Sequence, residues 1–453
     1  MNIIIAGGGK VGINLARQLS AEGYDITIID SDQRVLNTSM EKMDVMAVYG
    51  NCASMNTLLQ AGVKEAELLI AATNADEVNL LCCTAAHGIN PKIHTIARIR
   101  NPEYTEQILA MRDTFGLSMD FNPEKQAAAE IQQLLKYPGF LRRDSFAKGR
   151  AEIVELRIDA KSKLCNATLM ELPNIVKTKV LVCAVLRDGN ALVSNSGSFT
   201  LREGDRVFVT APTENLTILL KNLQIITRRA RNVMLCGGGR VSYYLADLLA
   251  KDGISAKIIE SSANRCRELA IALPETNIVQ GDATDQDLLE NEGLGSCDAL
   301  VTLTGMDELN MIVSLFGSTR RVPQVITKLS HSENHRMLDS LALGSTVCPK
   351  EICCSSIVRY VRAMRNQVGA AVSLHTIADG QAEAVEFLVD EHTKNCGIPL
   401  KDLKLKPNVL IANITSGARS EVPNGGSVFL QGDSLVVVTT GRGTLQQLND
   451  IFL

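Results

Sequence analysis

Two glycine-rich turns are the parts of this 453-residue sequence best suited to chemistry, and they form an internal repeat. Each follows an apolar run and leads into a pattern typical of a helix. Glycines at this place allow a tight turn and a close approach of backbone to a pyrophosphate. The helix that begins there offers free N–H groups and its dipole to the anion. The sequence therefore predicts two phosphate cradles in one chain.

The residues assigned to the two cradles follow from this repeat. The first set is Gly7, Gly8, Gly9, Lys10, Val11 and Gly12. The second set is Gly237, Gly238, Gly239, Arg240 and Val241, with Ser242 where the first turn has its last glycine. We expect Ser242 to loosen the packing of the second helix on its strand, because the last glycine of such a motif lets the two approach closely.

A carboxylate follows each turn at the spacing typical of a ribose-binding acid. Asp30 follows Gly7 at the same separation at which Glu260 follows Gly237. Such a carboxylate accepts hydrogen bonds from a ribose diol but repels a 2′-phosphate. The expected ligands are therefore NAD(H), ATP or ADP, and not NADP. The alternative is a glycine turn that serves folding alone.

Polar residues also follow the predicted fourth and fifth strands of each repeat. Thr73, Asn74 and Thr304 come directly after fourth strands, at the sheet edge where ligands bind in parallel α/β folds. We expect them to contact ribose or phosphate; the alternative is that Asn74 or Asp76 caps the next helix. Arg98 ends a fifth strand, where a cation can meet an additional phosphate or remain an exposed charge.

The elements that must position these residues alternate between strand and helix. Fully apolar runs separated by helical patterns predict a parallel sheet covered on both faces. Shorter, alternating strand patterns with Gly-containing turns follow each sheet domain. The predicted fold class is α/β, with two Rossmann-like doubly wound parallel-sheet domains, each followed by a small α+β domain. The predicted domains are residues 1–140, 141–226, 231–366 and 367–453.

Composition excludes several functions. The chain carries 46 basic and 50 acidic residues, so no basic surface for nucleic acid is expected. Its twelve cysteines include no Cys-x-x-Cys motif. No apolar stretch approaches the roughly 20 residues that cross a bilayer, and no secretory signal is expected. His331 and His335 lack a third metal ligand, so no metal site is predicted.

The sequence resembles a known family. The opening strand with its glycine turn, Asp30, residues 71–79 (Ala-Ala-Thr-Asn-Ala-Asp-Glu-Val-Asn) and residues 97–104 (Ala-Arg-Ile-Arg-Asn-Pro-Glu-Tyr) are similar to the TrkA-type peripheral subunits of bacterial Trk potassium uptake systems. The likeness extends over essentially the whole chain. Its large–small–large–small order resembles two fused RCK modules, the regulators of K⁺ conductance.

The resemblance implies a ligand set, partners and a location. It implies binding of NAD(H), ATP or ADP, a homo-oligomeric ring (a tetramer of tandem chains), and a membrane-embedded Trk-type potassium transporter subunit as partner. The protein would lie on the cytoplasmic face of the inner membrane and touch the membrane only through that partner. By motif matching, the resemblance adds Asn51, Cys52 and Asp282 to the binding residues already named. The first copy has Asn51-Cys52 where the family often has Asp-Ala, and so lacks one carboxylate near the adenine.

Three functions follow, and only the family resemblance separates the first from the third, a cytosolic redox- or energy-sensing protein with another client such as an antiporter. The first is a non-catalytic, nucleotide-sensing subunit that gates a potassium transporter, because a ligand shifts a two-state equilibrium by its differential affinity. The helices that follow Pro123 and Pro349 are the predicted hinges. The alternative is an NAD-dependent dehydrogenase with a duplicated fold. No motif assigns a catalytic acid or base to the small domains, which favours the first function.

Overall fold

The computed structural model describes residues 1–136, 140–193, 197–223, 230–330, 343–364, 371–440, 445 and 447–453. The described chain forms two six-stranded parallel sheets and two five-stranded antiparallel sheets, in alternation along the sequence. The predicted α/β fold class is confirmed. His331 and His335 lie outside the described residues.

The first parallel sheet is built from six short apolar strands. They are β1 (Asn2–Ala6), β2 (Asp25–Asp30), β3 (Met46–Tyr49), β4 (Leu68–Ala71), β5 (His94–Arg98) and β6 (Met119–Phe121). The intervening helices are α1 (Lys10–Ala21), α2 (Gln33–Lys42), α3 (Met55–Gln60), α4 (Asp76–Ile89) and α5 (Pro102–Ala110), and α6 (Pro123–Lys136) follows the last strand.

The strand order of this sheet is β3-β2-β1-β4-β5-β6, so the chain reverses direction across the sheet between β1 and β4. The central strands are buried on both faces, and β4 has no exposed residue. Parallel strands of this kind need helices on both sides, which explains their uninterrupted apolar sequences. The carboxyl ends of β1 and β4 meet at the switch point, where doubly wound folds bind ligands.

The second half repeats this plan in the same order. Its strands are β12 (Asn232–Cys236), β13 (Ser255–Glu260), β14 (Asn277–Gln280), β15 (Ala299–Thr302), β16 (Gln324–Lys328) and β17 (Ser345–Val347). Its helices are α9 (Arg240–Lys251), α10 (Ala263–Ala272), α11 (Gln286–Asn291), α12 (Asp307–Thr319) and α13 (Pro349–Met364). The sheet order is β14-β13-β12-β15-β16-β17, which matches the first sheet strand for strand.

Each small domain contains a five-stranded antiparallel sheet. The first has β7 (Arg142–Phe146), β8 (Ala151–Arg157), β9 (Leu181–Arg187), β10 (Asn190–Leu192) and β11 (Arg206–Pro212), with α7 (Leu172–Val176) and α8 (Thr213–Asn222). The second has β18 (Ala371–Ile377), β19 (Ala382–Leu388), β20 (Val409–Ser416), β21 (Arg419–Glu421) and β22 (Ser434–Thr439). Both sheets share one order, β7-β8-β11-β9-β10 and β18-β19-β22-β20-β21.

Sequence patterns predicted only part of these small sheets. The turn at Gly189 joins β9 to β10, and the turn at Gly417 joins β20 to β21, with φ of +73° and +56°. The sequence patterns predict strands at β8, β9, β11 and β22, but none at β7, β10, β18, β19, β20 or β21. Apolar residues of both sheets form one shared core that includes Ile153, Phe208 and Val438.

The chain divides into two compact units. One contains residues 1–127 and 348–358, and the other contains residues 128–347 and 359–453. In the first unit, the start of α13 packs on the first sheet domain, where Asn14 Nδ2 donates to Cys354 Sγ at 3.4 Å. In the second unit, the end of α6 packs on the second sheet domain, where Lys136 Nζ lies 2.9 Å from Asp252 Oδ2. The division into four domains remains a prediction.

Within the described part of the chain, every helix is too short or too polar to cross a lipid bilayer.

Candidate nucleotide-binding sites

The first glycine turn follows β1 and packs against the loop after β4. Gly7 has φ +103°, and a Cβ added there would lie 2.9 Å from the Thr73 backbone nitrogen. A side chain at Gly7 would therefore suffer both an unfavourable φ and a backbone clash. A Cβ on Gly9 would meet nothing within 4 Å, which leaves open space at the start of α1. The turn thus presents bare backbone and a helix N-terminus to that space, as an anion requires.

Asp30 at the end of β2 holds the turn in place. Its Oδ2 accepts a hydrogen bond from the Gly8 N–H at 2.6 Å, and its Oδ1 accepts one from the Asp32 N–H at 2.8 Å. The carboxylate is half-buried. Each carboxylate oxygen has a further lone pair, so the group remains able to accept from a ribose diol. The same residue thus shapes the loop and faces the predicted ribose position.

The opposite side of the cleft depends on a buried asparagine. Asn79 of α4 is fully buried, and its Oδ1 accepts from the Thr73 N–H at 2.9 Å and from the Thr73 hydroxyl at 2.7 Å. Its Nδ2 donates to the Arg98 carbonyl at 2.9 Å. Asn79 therefore ties the end of β4 to the end of β5. The alternative that Asn74 or Asp76 caps α4 is wrong, because the N-cap residue is Ala75.

Asn51 and Cys52 lie beyond the end of β3. The Asn51 Oδ1 accepts from the Ala53 N–H at 3.0 Å, which forms a local turn, and Asn51 is exposed. Cys52 is buried, and a hydrogen bond from the Cys82 thiol lowers its pKa. The pair thus contributes one exposed amide and one buried thiol to this end of the cleft.

These residues line one cleft of about 650 Å³ at the carboxyl edge of the sheet. The lining includes eight predicted site residues: Gly7, Gly8, Gly9, Asp30, Asn51, Cys52, Thr73 and Asn74. The volume is in the range of pockets that hold ligands of nucleotide size. A glycine turn at a helix N-terminus, a half-buried carboxylate and this volume together match what a nucleotide requires.

Four other predicted residues are not part of the lining. Val11 and Gly12 are buried beneath the turn, and Lys10 is exposed at the start of α1. Arg98 is turned toward α6, with Nη2 3.5 Å from Glu124 Oε1 and its side chain 13% exposed. Burial lowers the pKa of this guanidinium, and the charge of Glu124 opposes the shift.

The second cradle repeats the first in backbone and in hydrogen bonding. Gly237 has φ +109°, and the Glu260 Oε2 accepts from the Gly238 N–H at 2.7 Å. The Asn310 Oδ1 accepts from the Thr304 N–H and hydroxyl, both at 2.8 Å, and the Asn310 Nδ2 donates to the Lys328 carbonyl at 3.0 Å. Each of these hydrogen bonds has a counterpart between the corresponding residues of the first cradle.

The remaining predicted residues of the second cradle lie at its rim or beneath it. Arg240 is exposed at the start of α9, and Val241 is buried. Asp282 is exposed after β14, and its Oδ1 accepts from the Thr284 N–H and hydroxyl, both at 2.8 Å. The hydrogen bonds from Thr284 lower the pKa of Asp282. Asp282 therefore forms the same local turn as Asn51, with a carboxylate in place of the amide.

Ser242 does not loosen the second turn as expected. It is fully buried, and its hydroxyl donates to the Gly237 carbonyl. In the first turn, a Cβ at Gly12 would overlap the Gly7 carbonyl oxygen. The second turn thus accommodates a serine, held by a side-chain hydrogen bond, at the position where the first turn leaves no room for a Cβ.

Sequence reasoning missed three kinds of residue at these sites. Asn79 and Asn310 stand at the same separation from their cradle threonines, and that repeated spacing was a usable signal. Asp76 accepts from the Arg100 and Asn101 N–H groups at 2.7 and 2.8 Å, which anchors the loop after β5. Arg265 Nε donates to the Gly238 carbonyl at 2.8 Å, and the repeat gave no signal for it.

Comparison with protein families places the two halves in one class. The TrkA-N domain model matches residues 3–113 and 233–349, and the TrkA-C domain model matches residues 153–224. A Trk system potassium uptake protein TrkA homolog of Archaeoglobus fulgidus is 32% identical over the full length of both chains. The Trk system potassium uptake protein TrkA of Haemophilus influenzae is 28% identical over all of this chain and 98% of its own.

Solved structures share the fold. The GsuK RCK domain has a TM-score of 0.63 at 15% identity, covering 97% of this chain and 92% of its own. The GsuK channel bound to NAD has a TM-score of 0.61 at 16% identity, covering 97% and 77%. GsuK bound to ADP has a TM-score of 0.51 at 13% identity, covering 80% and 69%. At these identities the likeness establishes the architecture.

Proposed function

This chain belongs to the TrkA family, and from that premise we propose that it is a regulatory, nucleotide-sensing subunit of a Trk-type potassium transporter. The relatives at 32% and 28% identity are named potassium uptake proteins and align over their whole length. The proposed role is non-enzymatic. Its ligands are NAD(H), ATP or ADP, bound at the two glycine-turn clefts.

The observation that carries this proposal is the presence of two equivalent cradles in one chain. Both cradles keep the carboxylate bond to the glycine turn and the buried asparagine that joins two loops. An enzyme that transfers hydride needs one such site and a substrate domain beside it. A sensor benefits from several sites, because each adds its own differential affinity to the same equilibrium.

Assembly and location are inferred from the same family membership. We infer a homo-oligomeric ring, a tetramer of tandem chains, that docks on a membrane-embedded potassium-transporting subunit. The chain would then reach the cytoplasmic face of the inner membrane only through that partner. Two of the similar structures are GsuK with NAD and GsuK with ADP, which supports the proposed ligand classes.

The proposed mechanism uses binding energy to select between two conformations. The cleft loops after β4 and β5 are tied together by Asn79, so a ligand held against them is coupled to the sheet edge. Arg98 on that edge meets Glu124 at the start of α6. A shift of the β5 edge would therefore be transmitted to α6, which is one of the two predicted hinges.

Two measurements test the proposal in order. Calorimetric titration of the purified chain with NAD, NADH, ATP and ADP should show two sites per chain. Potassium flux through a Trk-type membrane subunit in proteoliposomes, with the chain present, should then depend on the nucleotide added. The proposal fails if flux is insensitive to every nucleotide, or if the chain alone oxidises NADH with a small carbonyl compound.

A further inference from the structure

One position on the wall of each cradle changes from apolar to cationic between the two copies. Val35 is the third residue of α2, and Arg265 is the third residue of α10. A Cβ on Gly8 would overlap the Val35 Cγ1, so Val35 covers the first glycine turn. In the second copy the Arg265 Nε donates to the Gly238 carbonyl at 2.8 Å. A Cβ on Gly238 would meet the Leu269 Cδ1, so Leu269 covers the second turn and Arg265 adds a guanidinium bonded to the turn backbone.

The charge of Arg265 is only weakly compensated. Its Nη1 lies 2.7 Å from the Glu268 Oε2, but the Glu268 side chain is 64% exposed, so solvent screens that pair. The Arg265 side chain is 33% exposed, so part of it remains accessible. A partly buried guanidinium beside an anion-binding turn strengthens the attraction for phosphate.

A second cation lies at the end of β16. The Lys328 Nζ donates to the Thr304 carbonyl at 2.6 Å, whereas the corresponding Arg98 of the first copy is turned toward Glu124. Asp282 adds a negative charge beyond β14, but it is exposed and engaged by Thr284. Helix α10 and the end of β16 thus each carry a cation bonded to the backbone of the second cradle.

We propose that the second cradle selects its ligand by phosphate charge and takes a nucleoside polyphosphate, with Arg265 as the specificity-determining residue. This inference rests on the proposed function and assigns the two cradles different ligand classes. The first cradle, with Val35 over the turn and Asp30 facing the ribose, takes the dinucleotide NAD(H). Affinity at the second cradle should rise from AMP to ADP to ATP, and affinity at the first should change little along that series.

Calorimetry on the full chain tests this assignment with the other site disabled. In an Asp30→Ala background, Arg265→Val should weaken ATP binding by about tenfold to a hundredfold, the effect of losing a charge-assisted hydrogen bond. AMP binding should weaken by less than about threefold, because its single phosphate carries less charge. Arg265→Lys should retain part of the ATP preference. In a Glu260→Ala background, the reciprocal Val35→Arg should steepen the series at the first cradle.

The possible outcomes distinguish failure of this ligand assignment from failure of the proposed nucleotide-sensing function. Equal losses of affinity for AMP and ATP in Arg265→Val, or no loss for either, would overturn the inference. The proposed function would still stand on the two nucleotide sites of the wild-type chain. Thermal unfolding and hydrogen exchange of each variant show whether the cradle is still folded, and Arg265→Lys serves as the matched variant if valine disturbs it. A wild-type chain that binds none of these nucleotides would overturn both the inference and the proposed function.

Discussion

The two cradles have the same backbone conformation but stabilise it with different side chains. The first turn needs Gly12, because its helix lies against the Gly7 carbonyl, whereas the second turn accepts Ser242 and bonds its hydroxyl to the corresponding carbonyl. The last glycine of the motif is therefore one of two solutions to close packing. The next helix differs more, because Arg265 takes the position of Val35 and bonds to the turn, while Leu269 covers the turn in place of Val35. Duplication thus preserved the loop geometry and changed the charge around it.

The largest effects should come from the feature that the copies share most closely. Asn79→Ala and Asn310→Ala each leave a buried N–H and carbonyl groups without partners, so each should destabilise its own half by about 2–4 kcal/mol. Amide hydrogen exchange of peptides from β4 and β15 measures this locally. Asn74→Ala, at an exposed position, is the control. Markedly unequal losses in the two halves would contradict the equivalence of the cradles.

The two acids predicted to bind the ribose provide the next comparison. Asp30→Ala and Glu260→Ala should each abolish or weaken one site by about 2 kcal/mol in binding free energy, roughly thirtyfold, because a charged acceptor for the turn N–H and for the diol is lost. Calorimetric stoichiometry should fall from two sites to one in either variant. The exposed Asp25→Asn is the control. If Glu260→Ala leaves both sites intact, Glu260 does not bind the ribose and only holds the second turn.

Exchanging the last motif residue tests the two packing solutions directly. Gly12→Ser should destabilise the first sheet domain by about 2 kcal/mol, because its Cβ overlaps the Gly7 carbonyl. Ser242→Gly should destabilise the second by about 1 kcal/mol, through a lost hydrogen bond and a glycine within a helix. Local hydrogen exchange at α1 and α9 distinguishes them. Equal stability of Gly12→Ser and wild type would show that the first turn is as adaptable as the second.

Helices α6 and α13 give the smallest predicted difference, which is a difference in how stability depends on pH. Burial and the charge of Asp144 raise the pKa of Glu130 on α6 to about 7, although Arg142 and Arg143 oppose the shift. The position of Glu130 relative to the helix-opening proline is occupied by Ser356 in α13. The second copy therefore lacks this titrating group.

The direction of this pH dependence follows from the linkage between protonation and folding. Because the folded pKa of Glu130 lies above its ordinary value of 4.5, its contribution to stability is complete below about pH 4.5 and is lost as the pH rises through about 7. The side chain is only half-buried and solvent weakens the effect, so Glu130→Gln should remove about 1 kcal/mol of that pH dependence. Urea unfolding at pH 5 and pH 8 measures it, with Ser356→Ala as control. A wild-type slope retained in Glu130→Gln would exclude Glu130 as its source.

Much of the fold could be predicted because its determinants are local in sequence. Apolar runs of strand length predict a parallel sheet, and glycine turns followed by an acid at a fixed spacing predict the positions of the cradles. Strand ends were less predictable. The apolar run over residues 66–73 predicts a fourth strand of that length, but β4 spans only Leu68–Ala71, because terminal residues leave the ladder to form loops.

The amino-acid sequence by itself determined the duplication, the two glycine turns and the carboxylates Asp30 and Glu260, since these depend on residue type and spacing. Only the tertiary structure decided that Arg98 meets Glu124, that Arg265 bonds to Gly238, and that the halves of α6 and α13 belong to different compact units. The physical reason is that a side chain bonds to the groups that folding brings within its reach. Spacing along the chain carries no information about those distances.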